Sequence, residues 1–166
     1  MRPNQIYAVS LPHSALDAQV QRRVVEVVGR ALLTSYGLRS LDASHADYRP
    51  QYTGGVWERD GSYHQGPVWA FLLGHYALAE HRAFGDAATA QARLEPLRDH
   101  LFDAGLGTVS EILDGAPPHP PRGAPSQAWS VACTLEAWWR LEKLKRQSNR
   151  RGAEDAEERG VRAEAA

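Results

Sequence analysis

The sequence predicts an all-α fold in which inner and outer helices alternate around a toroid. Two observations support this prediction. Apolar residues recur at helical spacing in three separate stretches of the chain. A fourth stretch, from Val68 to Ala79, is apolar nearly all the way round, as expected for a helix enclosed by others. The chain has 166 residues, of which 43% are hydrophobic, so it is long enough for one compact domain.

The first two elements are predicted to be helical. Residues 2–11 form a short apolar stretch that suits a helix or a strand at this length, and we favour a helix. From about Ser14 to Ser35, valine, leucine and alanine occupy one face, while glutamine, arginine and glutamate occupy the other. This pattern predicts an amphipathic outer helix over these residues, with Gly37 as its stop.

A long polar and aromatic segment separates this helix from the next. Residues 38–65 show no helical period and are expected to be irregular. The next helix is predicted to begin at Gly66 and Pro67, because proline is favoured at the first helical position. This is the all-apolar helix, and it is therefore expected to be an inner one.

Two further helices complete the predicted order. The third spans about Asp86 to Ala104, with Asp86 as its N-cap and a kink expected at Pro96. The fourth spans about Ser126 to Lys145 and is rich in aromatic residues, which favours an inner position.

The end of the chain differs in composition from the rest. Residues 146–166 are charged and alanine-rich, without an apolar stripe. We expect them to form a disordered or loosely helical tail. The folded domain is therefore predicted to span residues 1–145.

Composition narrows the class of partner. The formal net charge of −1 and the pI of about 6.7 give no basic field for nucleic acid or an anionic membrane surface, so a neutral polymer such as a glucan fits better. No segment approaches the roughly 20 apolar residues that span a bilayer, and we expect a cytoplasmic location. The single cysteine, Cys133, excludes an internal disulfide. Neither a metal nor a cofactor is predicted, because zinc-binding spacings and phosphate-binding glycine loops are absent.

Three polar stretches each lead into a predicted inner element, so we expect them to converge at one end of the toroid. They are residues 2–5, 59–65 and 108–127. The third places Glu111 in an apolar run and then continues with five prolines that stiffen the loop. A long, rigid loop of this kind is better suited to chemistry than to simple connection.

Glu111 is the predicted catalytic carboxylate. As a general base it would deprotonate water for attack on an acetal carbon, while the alternatives are a helix cap or an ion pair with Arg122. Asp114 has the same interpretations, although Asp-Gly is also common in turns. Glycoside hydrolysis needs two carboxyl groups, about 6.5–9.5 Å apart for inversion and about 5–5.5 Å apart for retention. Asp60 is the other local candidate.

The residues just before Trp69 have the chemistry that sugars require. Their polar atoms suit hydroxyl groups, and the indole offers an aromatic face for the C–H surface of a sugar ring. These polar residues are Asp60, Tyr63, His64 and Gln65. The alternative is an ion pair between Arg59 and Asp60 that ties the loop down, with His64 as a helix cap. Trp138 and Trp139 are expected to lie in a core or an interface.

Together these stretches resemble the carboxy-terminal glucosidase domain of glycogen debranching enzymes, the amylo-α-1,6-glucosidases. The resemblance covers about residues 2–142, and its motifs occur in the family's order. The matching text is Arg2-Pro-Asn-Gln-Ile-Tyr-Ala-Val-Ser-Leu-Pro12, Arg59-Asp-Gly-Ser-Tyr-His-Gln-Gly-Pro-Val-Trp69 and Gly107-Thr-Val-Ser-Glu-Ile-Leu-Asp-Gly115, with Pro121-Arg-Gly123 and Gln127-Ala-Trp-Ser130.

The resemblance implies an (α/α)6 toroid of twelve helices, of which this chain would supply about the last five. It implies inverting hydrolysis of the single α-1,6-linked glucose left at a branch point, with Glu111 as general base. The implied substrate-binding residues are Asp60, Tyr63, His64, Gln65, Trp69, Gln127 and Trp129. The family's general acid lies in an earlier motif, so the chain is expected to be incomplete and weakly active alone.

The partners implied by this resemblance are an α-glucan, such as glycogen or a limit dextrin, and an upstream chain or a second copy that covers the incomplete toroid. Four positions depart from the family's usual residues, and they affect only the expected rim of the site. They are Pro67, Ala70, Ala116 and Ala124. The alternatives are a non-catalytic glucan-binding or truncated remnant, and another six-hairpin enzyme such as a trehalase or a different α-glucosidase.

Overall fold

The computed structural model describes residues 1–104 and 106–164, which are mostly helical with a small antiparallel sheet. A short 3₁₀ helix, Pro3–Ile6, opens the chain. The α-helices are α1 (Tyr7–Ser10), α2 (Ala18–Leu32), α3 (Val56–Ser62), α4 (Phe71–Phe84), α5 (Ala87–Ala92), α6 (Glu95–His100) and α7 (Ala128–Glu164). The strands are β1 (Leu38–Arg39), β2 (Val68–Trp69), β3 (Ile112–Leu113) and β4 (Pro121–Arg122).

The sheet corrects the all-α prediction. Its strands pair antiparallel in the order β1-β2-β3-β4. Trp69 in β2 is opposite Leu38 on one side and Ile112 on the other. Each strand has only two residues, which is too short for the alternation of polar and apolar residues that reveals a strand in a sequence.

The helix predicted for residues 2–11 is confirmed by the 3₁₀ helix and α1. The next helix begins at Ala18 rather than Ser14, because the Asp17 carboxylate accepts a hydrogen bond of 2.8 Å from the amide of Val20 and caps the helix there. It ends at Leu32, three residues before the predicted end at Ser35, and its C-cap is Leu33, so the prediction of Gly37 as the stop is wrong. Gly37 instead lies against the backbone of Trp69, where a Cβ would collide with the carbonyl oxygen.

The segment from 38 to 65 is partly regular, since it contains β1 and α3. The following helix begins at Phe71, and the predicted start at Gly66 and Pro67 is wrong. Val68 and Trp69 are in β2, so their backbone groups bond to neighbouring strands rather than to a helical turn.

Helix α4 is enclosed, as its apolar composition predicts. It packs against α1 and α2 on one side and against α5 and α7 on the other. Leu72 and Tyr76 face the first group, while Leu73 and Ala77 face the second. At Gly74, α4 and α7 come so close that a Cβ would collide with the carbonyl oxygen of Cys133.

The predicted third helix is two shorter helices, α5 and α6. Asp86 is the N-cap of α5, as predicted, and its Oδ1 accepts hydrogen bonds of 3.0 Å from the amides of Ala88 and Thr89. Pro96 lies in the first turn of α6, where its missing N–H costs nothing. The proline therefore begins a new helix instead of kinking a continuous one.

The last helix, α7, begins at Ala128, two residues after the predicted start. Its backbone stays helical to Glu164, through most of the predicted tail, and the final two residues of that tail lie outside the described residues. Ala137 and Leu141 are fully buried against α4 and α5, whereas Trp139 is 62% exposed. Across the described part of the chain, α7 included, no helix has the length and apolar character to cross a membrane.

Candidate active site

The sheet determines where Glu111 lies. Glu111 immediately precedes β3, and its amide donates a hydrogen bond of 3.0 Å to the carbonyl oxygen of Ala124. The next residue, Ile112, pairs with Trp69 in β2 and with Arg122 in β4. The candidate base therefore lies directly beside the strand that carries Trp69.

Three donors orient the Glu111 carboxylate. Its Oε2 accepts a hydrogen bond of 2.9 Å from the amide of Ala124. Its Oε1 accepts one of 3.3 Å from Nε2 of Gln127 and a short one from the hydroxyl of Tyr63. Burial, together with this bond to Glu111, raises the pKa of Tyr63, so its phenol stays protonated and remains a donor. At Gly123, where φ is +67°, a Cβ would collide with Oε2 of Glu111.

Arg122 pairs with Asp114 and not with Glu111. The guanidinium lies 3.1 Å from Oδ2 of the buried Asp114, whose Oδ1 accepts a hydrogen bond of 2.8 Å from the amide of Tyr52. Asp114 therefore joins the segment that contains Tyr52 to β4. The alternative in which Glu111 pairs with Arg122 is not realised, and the carboxylate of Glu111 remains available at the surface of the loop.

An aromatic cavity of about 280 Å³ lies beside β2. His64 stacks on Trp69 with the ring centres 5.2 Å apart and the planes 7° from parallel. The ring centre of Trp129 lies 6.2 Å from that of Trp69 and 5.3 Å from that of Phe71, and Trp129 is 49% exposed. The cavity is lined by Arg2, Pro3, Asn4, Tyr7, Ser40, His64, Trp69, Phe71, Leu72 and Trp129. It combines aromatic faces with hydrogen-bonding groups, as sugar sites do.

A second cavity, of about 610 Å³, opens beside Glu111. It is lined by Tyr52, Thr53, Gly54, Arg59, Glu111, Arg122, Gly123 and Ala124. Tyr63 connects the two regions, because its hydroxyl contacts Glu111 and its ring centre lies 4.8 Å from those of His64 and Trp69. The candidate base and the aromatic cavity are thus neighbours on either side of one tyrosine.

The match to known proteins agrees with these motifs. The family model described as amylo-alpha-1,6-glucosidase matches residues 1–136. The chain belongs to this family. It is also similar to the glycogen debranching enzyme of Saccharomyces cerevisiae, with 25% identity over 164 residues, covering 85% of this chain and 11% of the yeast protein. The chain thus spans a small part of that relative's length, and every candidate site residue lies inside the stretch matched to the amylo-α-1,6-glucosidase family.

The structure brings most of the predicted site residues together within the stretch that matches this family. Glu111, Tyr63 and Gln127 are joined by hydrogen bonds, while His64, Trp69 and Trp129 line the adjacent cavity. Gln65 lies at the edge, where its Oε1 accepts a hydrogen bond of 2.7 Å from Arg2. Asp60 is exposed on α3 and lines neither cavity, and an ion pair between Arg59 and Asp60 does not occur among the described residues.

Two residues of the site, Arg2 and Asn4, were not assigned a role from the sequence. Arg2 donates to the carbonyl oxygens of Ser40 and His64, the first at 3.1 Å, and so anchors the loop that carries His64. Asn4 lines the aromatic cavity. The motif that begins at Arg2 is the only sequence feature that could have indicated these two residues. The contacts of Arg2 join residues more than 35 positions apart, so a local sequence pattern cannot predict them.

Proposed function

We propose that this chain is the C-terminal part of a glycogen debranching-type amylo-α-1,6-glucosidase, which hydrolyses α-1,6-linked glucose at branch points with inversion. The observation that carries the proposal is the Glu111 carboxylate, which three donors orient at the edge of a cavity and next to an aromatic wall. Family membership supports the substrate class, an α-glucan.

The role proposed for Glu111 is that of the general base. A carboxylate has about four acceptor positions, two on each oxygen. Oε1 accepts from Tyr63 and Gln127, whereas Oε2 accepts from Ala124 alone. One position on Oε2 therefore remains for a water molecule. In inverting hydrolysis, such a carboxylate takes a proton from water as the water attacks the anomeric carbon.

The aromatic cavity is the proposed sugar-binding region. Trp69 and Trp129 offer faces for the C–H surface of a glucose ring, and Trp129 is exposed enough to reach a ligand. Arg2, Asn4 and His64 supply polar atoms at the same wall. A neutral sugar needs this mixture, because its hydroxyl groups must regain hydrogen bonds when water is removed.

The general acid is proposed to come from a part of the protein outside this sequence. Of the local carboxylates, Asp114 is buried and paired with Arg122, and Asp60 is exposed away from both cavities. Neither is placed to protonate a leaving oxygen above Glu111. Without that proton transfer, the leaving group must depart as an alkoxide, so we expect this chain alone to release little glucose.

We further propose that the helices belong to an (α/α)6 toroid, of which this chain supplies about the last five helices. The enclosed position of α4 supports this arrangement. Helix α7 carries an exposed apolar face formed by Val131, Leu135 and Trp139, which are 36%, 65% and 62% exposed. Exposed apolar faces of this kind mark contact surfaces, and an upstream chain or a second copy would cover it.

The decisive experiment measures glucose release from a branched limit dextrin. The chain is tested alone, and the full-length gene product is tested with and without Glu111→Gln. We expect little release by the chain alone, and loss of release with retained glucan binding in the full-length Glu111→Gln variant. If the chain alone releases substantial glucose and Glu111→Gln abolishes that release, the proposal that the general acid lies outside this chain is refuted. If the full-length Glu111→Gln variant keeps its turnover, the proposal that Glu111 is the general base is refuted.

One observation favours a second candidate, a non-catalytic glucan-binding module. The aromatic cavity is formed by residues of this chain and does not depend on a general acid. Binding of a maltooligosaccharide without hydrolysis, even when the upstream part is supplied in trans, would support this candidate. Activity on a panel of substrates that includes trehalose distinguishes these two candidates from a trehalase or another α-glucosidase with the same toroidal fold.

A further inference from the structure

A buried histidine holds the residue immediately before Glu111. His100, at the end of α6, is 3% exposed, and its Nε2 lies 3.0 Å from the hydroxyl oxygen of Ser110. The backbone amide of Ser110 donates to the same nitrogen at 3.4 Å. Ser110 is itself 1% exposed, so water cannot replace these partners.

The backbone bond determines the tautomer of His100. An amide N–H can only donate, so Nε2 must accept and carries no proton. The ring proton then lies on Nδ1, on the side of the Asp103 carboxylate, whose Oδ2 is 4.0 Å away. Burial lowers the pKa of His100, which keeps the ring neutral at pH 7. The imidazole therefore presents a fixed acceptor to both groups of Ser110.

We propose that His100 is a positioning residue for Glu111 that acts through Ser110. This inference rests on the proposed role of Glu111 as the base. The loop has a second attachment on the other side of Glu111, where the amide and carboxylate of Glu111 both bond to Ala124. Between these attachments the Glu111 side chain meets the hydroxyl of Tyr63. If the attachment at Ser110 is lost, Glu111 is free to move away from that hydroxyl.

The bond between Tyr63 and Glu111 supplies the readout, because it does not depend on catalysis. In the chain labelled with ¹³C at tyrosine Cζ, the Tyr63 signal is assigned by its disappearance in Tyr63→Phe. Glu111→Gln gives the position of that signal when the carboxylate is lost. We expect His100→Ala to shift the Tyr63 signal towards the Glu111→Gln position. His100→Gln should restore the original position, since a glutamine carbonyl accepts from the Ser110 amide.

The matched control is Gln91→Ala. Gln91 is 5% exposed and hydrogen-bonded to Glu142 and Lys145, so its loss also removes a buried polar group, but one that does not contact the Glu111 loop. It should leave the Tyr63 signal in place. A folded His100→Ala chain with an unchanged Tyr63 signal, or an equal shift in Gln91→Ala, would overturn the proposal.

If His100→Ala does not fold, His100→Leu decides the question, because it keeps most of the volume of the ring but removes both bonds to Ser110. A shift of the Tyr63 signal in the same direction supports the positioning role, and an unchanged signal refutes it. The measurement needs no substrate, so its outcome is independent of whether the chain hydrolyses or binds a glucan. Failure of the proposed function and failure of this inference are therefore distinguishable.

Discussion

The hydroxyl of Tyr63 donates a hydrogen bond to Oε1 of Glu111, and the ring of the same tyrosine packs against His64 and Trp69. One side chain thus links the candidate base to the wall that we propose binds sugar. A displacement of Glu111 would therefore shift the aromatic wall through Tyr63, and a displacement of the wall would shift Glu111. Tyr63 is therefore the most informative position for mutation.

Removal of the Tyr63 hydroxyl should slow the reaction. In Tyr63→Phe, Oε1 of Glu111 keeps only its bond to Gln127, and the carboxylate is less firmly oriented. Hydrogen bonds to charged groups contribute about 1.5–3 kcal/mol, so we expect kcat of the full-length protein to fall by about tenfold to a hundredfold. Kinetics on limit dextrin measure this. Tyr76→Phe, at a buried tyrosine in α4, is the control, and an equal loss there would contradict the prediction.

Trp129→Ala should weaken glucan binding. The indole lies at the open side of the aromatic cavity, next to Trp69 and Phe71. Loss of one aromatic contact removes about 1 kcal/mol or more, which corresponds to a complex weakened by roughly fivefold or more. Isothermal titration calorimetry with a maltooligosaccharide measures the affinity. Trp57, which is 87% exposed on α3 and lines neither cavity, provides the control variant Trp57→Ala.

Asp114→Asn should destabilise the fold, because it leaves the Arg122 guanidinium without its buried partner. The expected loss is about 1–3 kcal/mol in the free energy of unfolding, measured by urea denaturation. Asp99→Asn is matched to it, since Asp99 also pairs with an arginine, Arg98, but is 72% exposed at its side chain. That control should change stability by less than about 0.5 kcal/mol. Equal effects of the two substitutions would argue against a structural role for Asp114.

Stability should fall when the pH is lowered below about 6.5, the usual pKa of histidine. Burial lowers the pKa of His75, His81 and His100 in the folded state. The unfolded chain therefore binds more protons than the folded chain between the lowered values and 6.5, so stability is full above this window and is lost as the pH falls through it. Urea denaturation at several pH values measures the slope. His100→Gln should reduce the slope.

Charge on the exposed face of α7 should reduce self-association. Leu135 and Trp139 are one helical turn apart and both largely exposed, so Leu135→Glu with Trp139→Glu removes apolar area without disturbing the buried side at Ala137 and Leu141. Sedimentation velocity should show a shift towards monomer. Leu11→Glu, at an exposed leucine elsewhere on the surface, should not have this effect. A wild-type chain that is already monodisperse and monomeric would contradict the prediction.

Helical pattern predicted the long elements and missed the short ones. Helix α4 is apolar on every face, and a helix of this composition must be enclosed, whatever surrounds it. The two-residue strands carry no period, and Pro67 looks like a helix start although β2 follows it. Pro96 shows the opposite case, since it is predicted to kink a helix but begins one. A proline can interrupt a helix or begin another, and the neighbouring residues decide which.

For the candidate site, residue chemistry indicated Glu111, Tyr63 and Trp69 as candidates, but it did not give their contacts. The bond between Tyr63 and Glu111 joins residues 48 positions apart. Arg122, which the sequence also suggests as an ion-pair partner for Glu111, pairs with Asp114 instead. Asp60 illustrates the opposite case. It neighbours the residues that we propose bind sugar, but it lies on α3 and lines neither cavity.

The attachment of Arg2 to the loop of His64 has a practical consequence for anyone who produces the protein. The guanidinium bridges Ser40, His64 and Gln65, and the same residue lines the aromatic cavity. Removal of the first two residues would thus take away part of the cavity lining and release the loop that carries His64. A purification handle is better fused at the carboxyl end, because the residues that line the two cavities all precede Ser130.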